Sequence, residues 1–225
     1  MMFPPHDEPA ANVTHQVTVT ATGVWTIVIV KVLETSFTQR IFLSASQSNT
    51  IHLPSSVGIA SDRSSSLLSV MSTKPVTVLA SFCTHTGCDH SSLHDVSSWG
   101  TRYYPVTPHF PNQTAVSQMV ITSADHDTPV NMLLSGDTCF NGNMYPSGIV
   151  LKLNMGALQS VYIESSTSLS GSELNSKGAV GVVVGLTCSK LTPGYCWYGF
   201  AELKPVSQWS LDYIFLPGCK HRNSF

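Results

Sequence analysis

The sequence predicts an all-β protein built from two tandem, homologous, sandwich-like modules of antiparallel strands, and three observations predict it. Val96-Ser97-Ser98-Trp99 followed by Tyr103 returns as Val206-Ser207-Gln208-Trp209 followed by Tyr213. Upstream of each copy, a lysine element leads into an apolar run that ends in cysteine, from Lys74 to Cys83 and from Lys177 to Cys188. Runs rich in Val, Ile, Thr and aromatic residues, broken by turn formers, recur about every ten residues. The offset between copies grows from 103 residues at the lysines to 105 at the cysteines and 110 at the tryptophans, as insertions in loops would produce.

In chain order, the first module is expected to hold strands at 16–21, 24–32, 39–44, 50–53, 67–72, 76–82 and 101–107. The second is expected to hold them at 118–123, 130–134, 149–153, 160–164, 173–176, 180–186 and 211–216. No segment repeats apolar residues at intervals of three and four, so helix should be minor. Thr22-Gly23, Lys74-Pro75 and Lys177-Gly178 are read as tight turns between paired strands, because Gly accepts positive φ and Pro presets the first turn position. Seven short strands per module suit a β-sandwich; β-propeller-like blades are the alternative, with each module counting as about two blades. The expected boundaries are a disordered 1–12, modules at 13–110 and 111–219, and a frayed tail at 220–225, with 108–115 as the linker.

Composition narrows the function. Of 225 residues only 11% are charged and 42% are hydrophobic, with a net charge of −2 and no basic run, so nucleic acid is excluded as an expected partner. No apolar run approaches the roughly 18 residues that a spanning helix needs. The first residues show no basic n-region or apolar h-region of a signal peptide. Six cysteines and the sequons at Asn12 and Asn112 nevertheless point to an extracellular, secreted protein, so the chain is read as a fragment or an incomplete gene model.

Cys83 and Cys88 flank a short loop at the end of one strand, and Cys188 and Cys196 flank a loop at the equivalent place in the second module. Equivalent position predicts equivalent bonding, hence disulfides Cys83–Cys88 and Cys188–Cys196. Cys139 and Cys219 remain, and whether they pair is left open. The run Cys83-Thr84-His85-Thr86-Gly87-Cys88-Asp89-His90, with His94 close behind, gathers imidazole, thiol and carboxylate donors, which is the basis of an alternative reading as a metal-binding or metal-dependent hydrolase domain. Structural zinc sites separate two ligand pairs more widely than this, and the second module's loop, Cys196-Trp197-Tyr198, has no histidine. A disulfide loop with surface histidines is the preferred reading, with no metal and no cofactor.

No nucleophile elbow, phosphate loop, dinucleotide fingerprint or His-Glu-x-x-His motif is present, so no catalytic residue is assigned. Trp99, Tyr103, Trp209 and Tyr213 are read as core residues at a strand start. The candidate binding loop comprises His85, Asp89 and His90 with Trp197 and Tyr198, the aromatic pair in the second module that has no counterpart in the first.

Several stretches together resemble a known family. Leu53-Pro54-Ser55-Ser56, the strand entry from Ser72 to Val76, Cys88-Asp89-His90, and the run from Val96 to Tyr104 are similar to the N-terminal domain of the IgGFc-binding protein family. The second module is similar through Leu169-Ser170-Gly171 to Lys177, at Cys188 and Cys196, and from Val206 to Pro217. The resemblance implies a secreted adhesion module without catalysis, with immunoglobulin Fc or a mucin or matrix protein as partner. Two departures stand out. Cys196-Trp197-Tyr198 replaces the Cys-Asp-His step, and Gly178-Ala179 stands where the pattern has proline. Full-length members continue into von Willebrand type D modules, which these residues do not include.

Overall fold

A computed structural model describes residues 13–57, 63–64, 67–84, 87–107, 115–124, 127–192 and 195–213; for residues 56, 63–64, 188–192 and 195–198 the backbone alone is described. Among these residues the protein is all-β, with antiparallel sheets and three one-turn 3-10 segments.

Seven strands of the first half make two sheets around one core. β1 (Thr14–Ala21), β2 (Thr26–Val32), β3 (Thr38–Leu43) and β4 (Ser48–Leu53) come first, followed by the short β5 (Arg63–Ser64), then β6 (Leu68–Ser72), β7 (Val76–Thr84) and β8 (Gly87–Leu93). One sheet has the order β4-β1-β7-β8 and the other β3-β2-β6. The period of two fixes which face is inside: β1 buries His15, Val17, Val19 and Ala21, and β2 buries Thr26, Val28, Val30 and Val32. The apolar ones among them, Val17, Val19, Ala21, Val28, Val30 and Val32, meet in a single cluster with Ile51, Leu68 and Ala80. On the outer face, paired hydroxyls pin the register of β1 on β4, with Thr18 and Thr50 2.8 Å apart and Thr20 and Ser48 2.7 Å apart.

Two of the expected hairpin turns are corners instead. Thr22-Gly23 joins β1 to β2 and Lys74-Pro75 joins β6 to β7, and each pair of strands lies in different sheets. The corners hold each other: the Thr22 hydroxyl donates to the Pro75 carbonyl at 2.8 Å, and the Lys74 ammonium donates to the Val24 carbonyl at 2.6 Å. Gly and Pro signal the bend, but the choice between hairpin and corner depends on which partner strand is already taken.

The second half forms one ten-stranded sheet. Its members are β9 (Gly100–Tyr103), β10 (Ser117–Ser123), β11 (Thr128–Leu133), β12 (Thr138–Phe140), β13 (Asn143–Tyr145), β14 (Val150–Met155), β15 (Ser160–Ser165), β16 (Glu173–Thr192) and β17 (Tyr195–Glu202), joined by β5. The principal order is β13-β12-β15-β10-β16-β11-β14, and β17 and β9 also pair with β16 while β5 pairs with β15. Met155 of β14 and Ile163 of β15 belong to one core cluster although three strands separate them in the principal order, so the sheet curls on itself into a barrel-like form.

β16 replaces two expected strands. The Lys177-Gly178 pair is not a turn. It lies where the β9 ladder shifts register between Asn175 and Val180, so the strand continues past an irregularity. Along its length β16 pairs with β11, β9, β10 and β17, which keeps both edges bonded and leaves no reason to turn. The β12–β13 hairpin, with Asn141 and Gly142 at positive φ, and strands β8 and β17 were not expected from sequence. The expected strand at 211–216 is absent over its described part, Leu211 to Tyr213.

The halves are packed face to face. All seven residues of β10 are buried, because Met119 and Ile121 enter the core of their own sheet while Val120, on the opposite face, joins the first cluster. Tyr162, Val183 and Phe200 also belong to that cluster. The first copy of the repeated motif closes the junction. Tyr103 is fully buried and donates its hydroxyl to the Val180 carbonyl at 2.5 Å, while accepting from the Gly100 amide at 3.0 Å. Trp99 lies so close over Gly181 that a Cβ there would be 2.4 Å from the indole ring.

Gly181→Ala is therefore expected to cost about 2 kcal/mol through overpacking, and that cost should shrink in a Trp99→Ala background, as read by urea unfolding of the two single variants and the double. Burial pushes the Tyr103 phenol up to about 12 from an ordinary value of 10.0, so the fold favours its neutral form. That contribution is complete below about pH 10 and is lost as pH rises through about 12, so unfolding midpoints should fall across this window, with a shallower fall in Tyr103→Phe.

Candidate protein-interaction site

The site grows from the β7–β8 hairpin. Cys83 and Cys88 sit opposite each other in the antiparallel ladder and are joined by a disulfide. The bond thus crosses a two-stranded ladder inside a hairpin rather than fastening a loop at the end of a strand. Gly87 to Leu93 is polar and reads as loop in sequence. It becomes a strand because β7, already bonded to β1 on one edge, offers its other edge as a template.

β8 is an edge strand, and so is β17 where the two approach. They do not form a ladder. Side chains of β8 accept from the backbone of β17 instead: the Asp89 carboxylate takes the Phe200 amide at 2.7 Å, and the Ser91 hydroxyl takes the Glu202 amide at 3.1 Å. Acceptors on side chains satisfy the edge N–H groups without extending the sheet.

Glu202 answers from the other side. Its side chain is only 5% exposed, yet both oxygens have donors: the His94 amide at 2.7 Å from Oε2 and the Trp99 indole N–H at 2.9 Å from Oε1. The His94 imidazole Nδ1 stands 3.4 Å from Oε2. The carboxylate therefore ties the end of β8, the turn Val96–Ser98 that follows it, and β17 into one unit. That turn is itself capped by Asp95, which accepts from the Ser97 amide at 2.9 Å and from the Ser97 hydroxyl; the hydroxyl bond leads in holding the Asp95 carboxyl below the usual carboxylate range. Beside this junction lies a groove of about 730 Å³, largely apolar and lined by Leu68, Val70, Val76, Leu93, Trp99 and Leu158 among others.

The residues expected to matter are distributed as follows. His90 is exposed on β8, with its Nδ1 2.8 Å from the Ser81 hydroxyl. Asp89 is half-buried and engaged with β17, and Trp197 lies on β17 opposite Ser189 of β16, with Tyr198 next to it, so the structure brings the two parts of the expected loop onto neighbouring strands. His85, Asn12, Asn112 and Cys219 lie outside the described residues, as do the side chains of Cys188, Cys196, Trp197 and Tyr198. Cys139 is half-buried on β12, with Met144 and Glu164 as its ladder neighbours. Trp99 and Tyr103 pack as expected, whereas Trp209 and Tyr213 do not: both are exposed.

Sequence reasoning missed Glu202, Ser91 and the structural use of Asp89. A carboxylate in an otherwise apolar strand such as β17 was the available signal, since burying a charge demands donors. Among the described residues no group of three or more His, Cys, Asp and Glu side chains converges on a metal-sized site. The two sulfurs of the expected donor set are consumed in the Cys83–Cys88 disulfide, so they cannot act as thiolate ligands.

Glu202→Ala should leave the Trp99 indole and the His94 amide without acceptors and cost about 2 to 4 kcal/mol, with a smaller loss for Glu202→Gln, which keeps one acceptor. Chemical denaturation of the two variants checks the order.

The IgGFc binding protein family model matches residues 89–225. The human IgGFc-binding protein is 28% identical over 122 residues, a match that covers 54% of this chain and 2% of the relative. No solved structure matches the chain. The matched stretch begins at Asp89, takes in β8 from that residue onward, the Glu202 junction and the whole ten-stranded sheet save β5, and covers more than half of the sequence: the chain belongs to the IgGFc-binding protein family.

Proposed function

We propose that this chain is a non-catalytic, extracellular protein-binding module, that its partner is immunoglobulin Fc or a mucus or matrix protein, and that the β7–β8 hairpin with the adjoining end of β17 meets that partner. The observation that carries the reading is family membership across residues 89–225 together with the printed name of the human relative. The hairpin supports it: a cross-strand disulfide is a bond of oxidising compartments, and it stiffens a surface from which His90 and Ser92 project. The second hairpin, with Cys188, Cys196, Trp197 and Tyr198, would add aromatic surface next to it.

We further read the chain as two related modules, 13–110 and 111–219, with a second disulfide Cys188–Cys196. The sheet order β4-β1-β7-β8 is matched by β15-β10-β16-β17, and β3-β2-β6 by β14-β11-β16, which supports a duplication. The hydroxyl pair Thr20 and Ser48 is matched by Thr122 and Ser160, also 2.7 Å apart. The metal-dependent alternative gains no support from the described residues, because its thiols are oxidised and His90 is turned to Ser81.

Surface plasmon resonance on immobilised Fc and Fab tests the proposal. Saturable binding to Fc but not Fab is expected, weakened about tenfold or more by the pair His90→Ala and Trp197→Ala, since aromatic anchors dominate such interfaces. Binding should survive a chelator. Failure to bind Fc and failure to bind a purified mucin, by protein whose Cys83–Cys88 bond is intact by peptide mapping, would overturn it.

A further inference from the structure

The repeated motif has the same local geometry in both copies but different surroundings. In the first, the turn Val96–Ser98 is closed by the Trp99 amide on the Val96 carbonyl, and the Gly100 amide donates to the Tyr103 hydroxyl at 3.0 Å. In the second, the turn Val206–Gln208 is closed by the Trp209 amide on the Val206 carbonyl, and the Ser210 amide donates to the Tyr213 hydroxyl at 3.1 Å. The two tryptophans share an extended backbone, with φ of −67° and −74°.

The first copy is a clamp. It leaves the first sandwich and seats on the sheet of the second half: Trp99 lies over Gly181, Tyr103 bonds Val180, and β9 joins the ladder of β16. The second copy has no such seat among the described residues. Trp209 is 51% exposed, Tyr213 76% and Leu211 100%, beside Val106, which is also exposed. That is an apolar patch of the kind that marks an interface. It is also continuous with the first clamp. Pro205 lies over Gly100, where a Cβ would be 2.4 Å from the proline ring, the Gln208 amide donates to the Ser98 carbonyl at 2.6 Å, and the Tyr104 and Trp209 rings are 5.9 Å apart.

We propose that residues 206–213 are a clamp for a further β module in the same chain, one that carries glycine at the position Gly181 holds here. Glycine is the requirement of the seat, because any Cβ collides with the indole. The matching position of the first sandwich supports this. Thr77 faces Thr20 of β1 as Gly181 faces Thr122 of β10, and Thr77 is exposed, with no indole over it. In this chain the module that receives a clamp has glycine there, and the one whose matching position is open has threonine. The first sandwich of a second copy of this chain is thereby a poor occupant, and its second-half seat is already filled by Trp99.

The test extends the chain: residues 1–213 are followed by a second copy of residues 104–213 in which Trp209→Phe leaves the internal Trp209 as the reporter. Oxidative footprinting read by mass spectrometry should show Trp209 protected to the level of Trp99, and Gly181→Val in the appended copy alone should restore its reactivity. Reactivity unchanged by the extension, or protection that persists with the valine, overturns the proposal. If the appended copy does not fold, the Trp99→Ala chain decides, because it vacates the Gly181 seat. Association in sedimentation, with Trp209 protected and association abolished by Trp209→Ala, supports the clamp; a monomer with reactive Trp209 overturns it.

Discussion

The structure hangs on one constraint: a strand that is bonded along both edges and buried on both faces has nowhere to turn. β16 runs for 20 residues, pairs along its length with β11, β9, β10 and β17, and meets that constraint from Val180 to Leu186, where every residue is buried. Its alternation serves two cores at once. Val180, Val182 and Val184 fill the interior of the curled sheet, while Val183 faces the first sandwich. The valine-rich run of β16 is the sequence form of that double burial.

The junction follows from the same geometry. Once the outer face of β10, β15 and β16 is covered by the first sandwich, the edges of β8 and β17 come side by side, and their free N–H groups need acceptors. Asp89 and Ser91 supply them from one strand and Glu202 binds back from the other. A buried carboxylate with two charge-assisted bonds is costly to disturb, so the hairpin that carries the disulfide is held at a fixed angle to the larger sheet. For a binding module this matters, because a rigid loop loses less entropy on meeting a partner. Two further carboxylates show the contrast with surface pairs. Glu173 accepts from Asn175 and Arg102 at the surface, which holds its carboxyl below the usual carboxylate range but ties down little, and Asp95 serves only its own turn.

Much of the fold is legible because strands that alternate or run continuously apolar announce themselves. β1, β2, β7, β10 and β15 fall within a few residues of their expected places, since their valines and isoleucines have no other economical burial. The polar β8 and the three-residue β12 and β13 are invisible to that logic, as pairing alone makes them strands. The candidate site divides in the same way. The Cys83–Cys88 bond follows from spacing and position, whereas the role of Asp89 depends on a backbone amide 111 residues away.

The sequence by itself determined the all-β class, the apolar face of most strands, the disulfide of the first hairpin and the family, because each is written in local residue order. Tertiary structure decided that Thr22-Gly23 and Lys74-Pro75 are corners, that Lys177-Gly178 is passed without a turn, and that Trp99 is covered while Trp209 is not. The reason is physical. A turn residue permits a change of direction and an aromatic residue favours burial, but which neighbour arrives to take the edge or cover the ring is set by contacts distant in sequence.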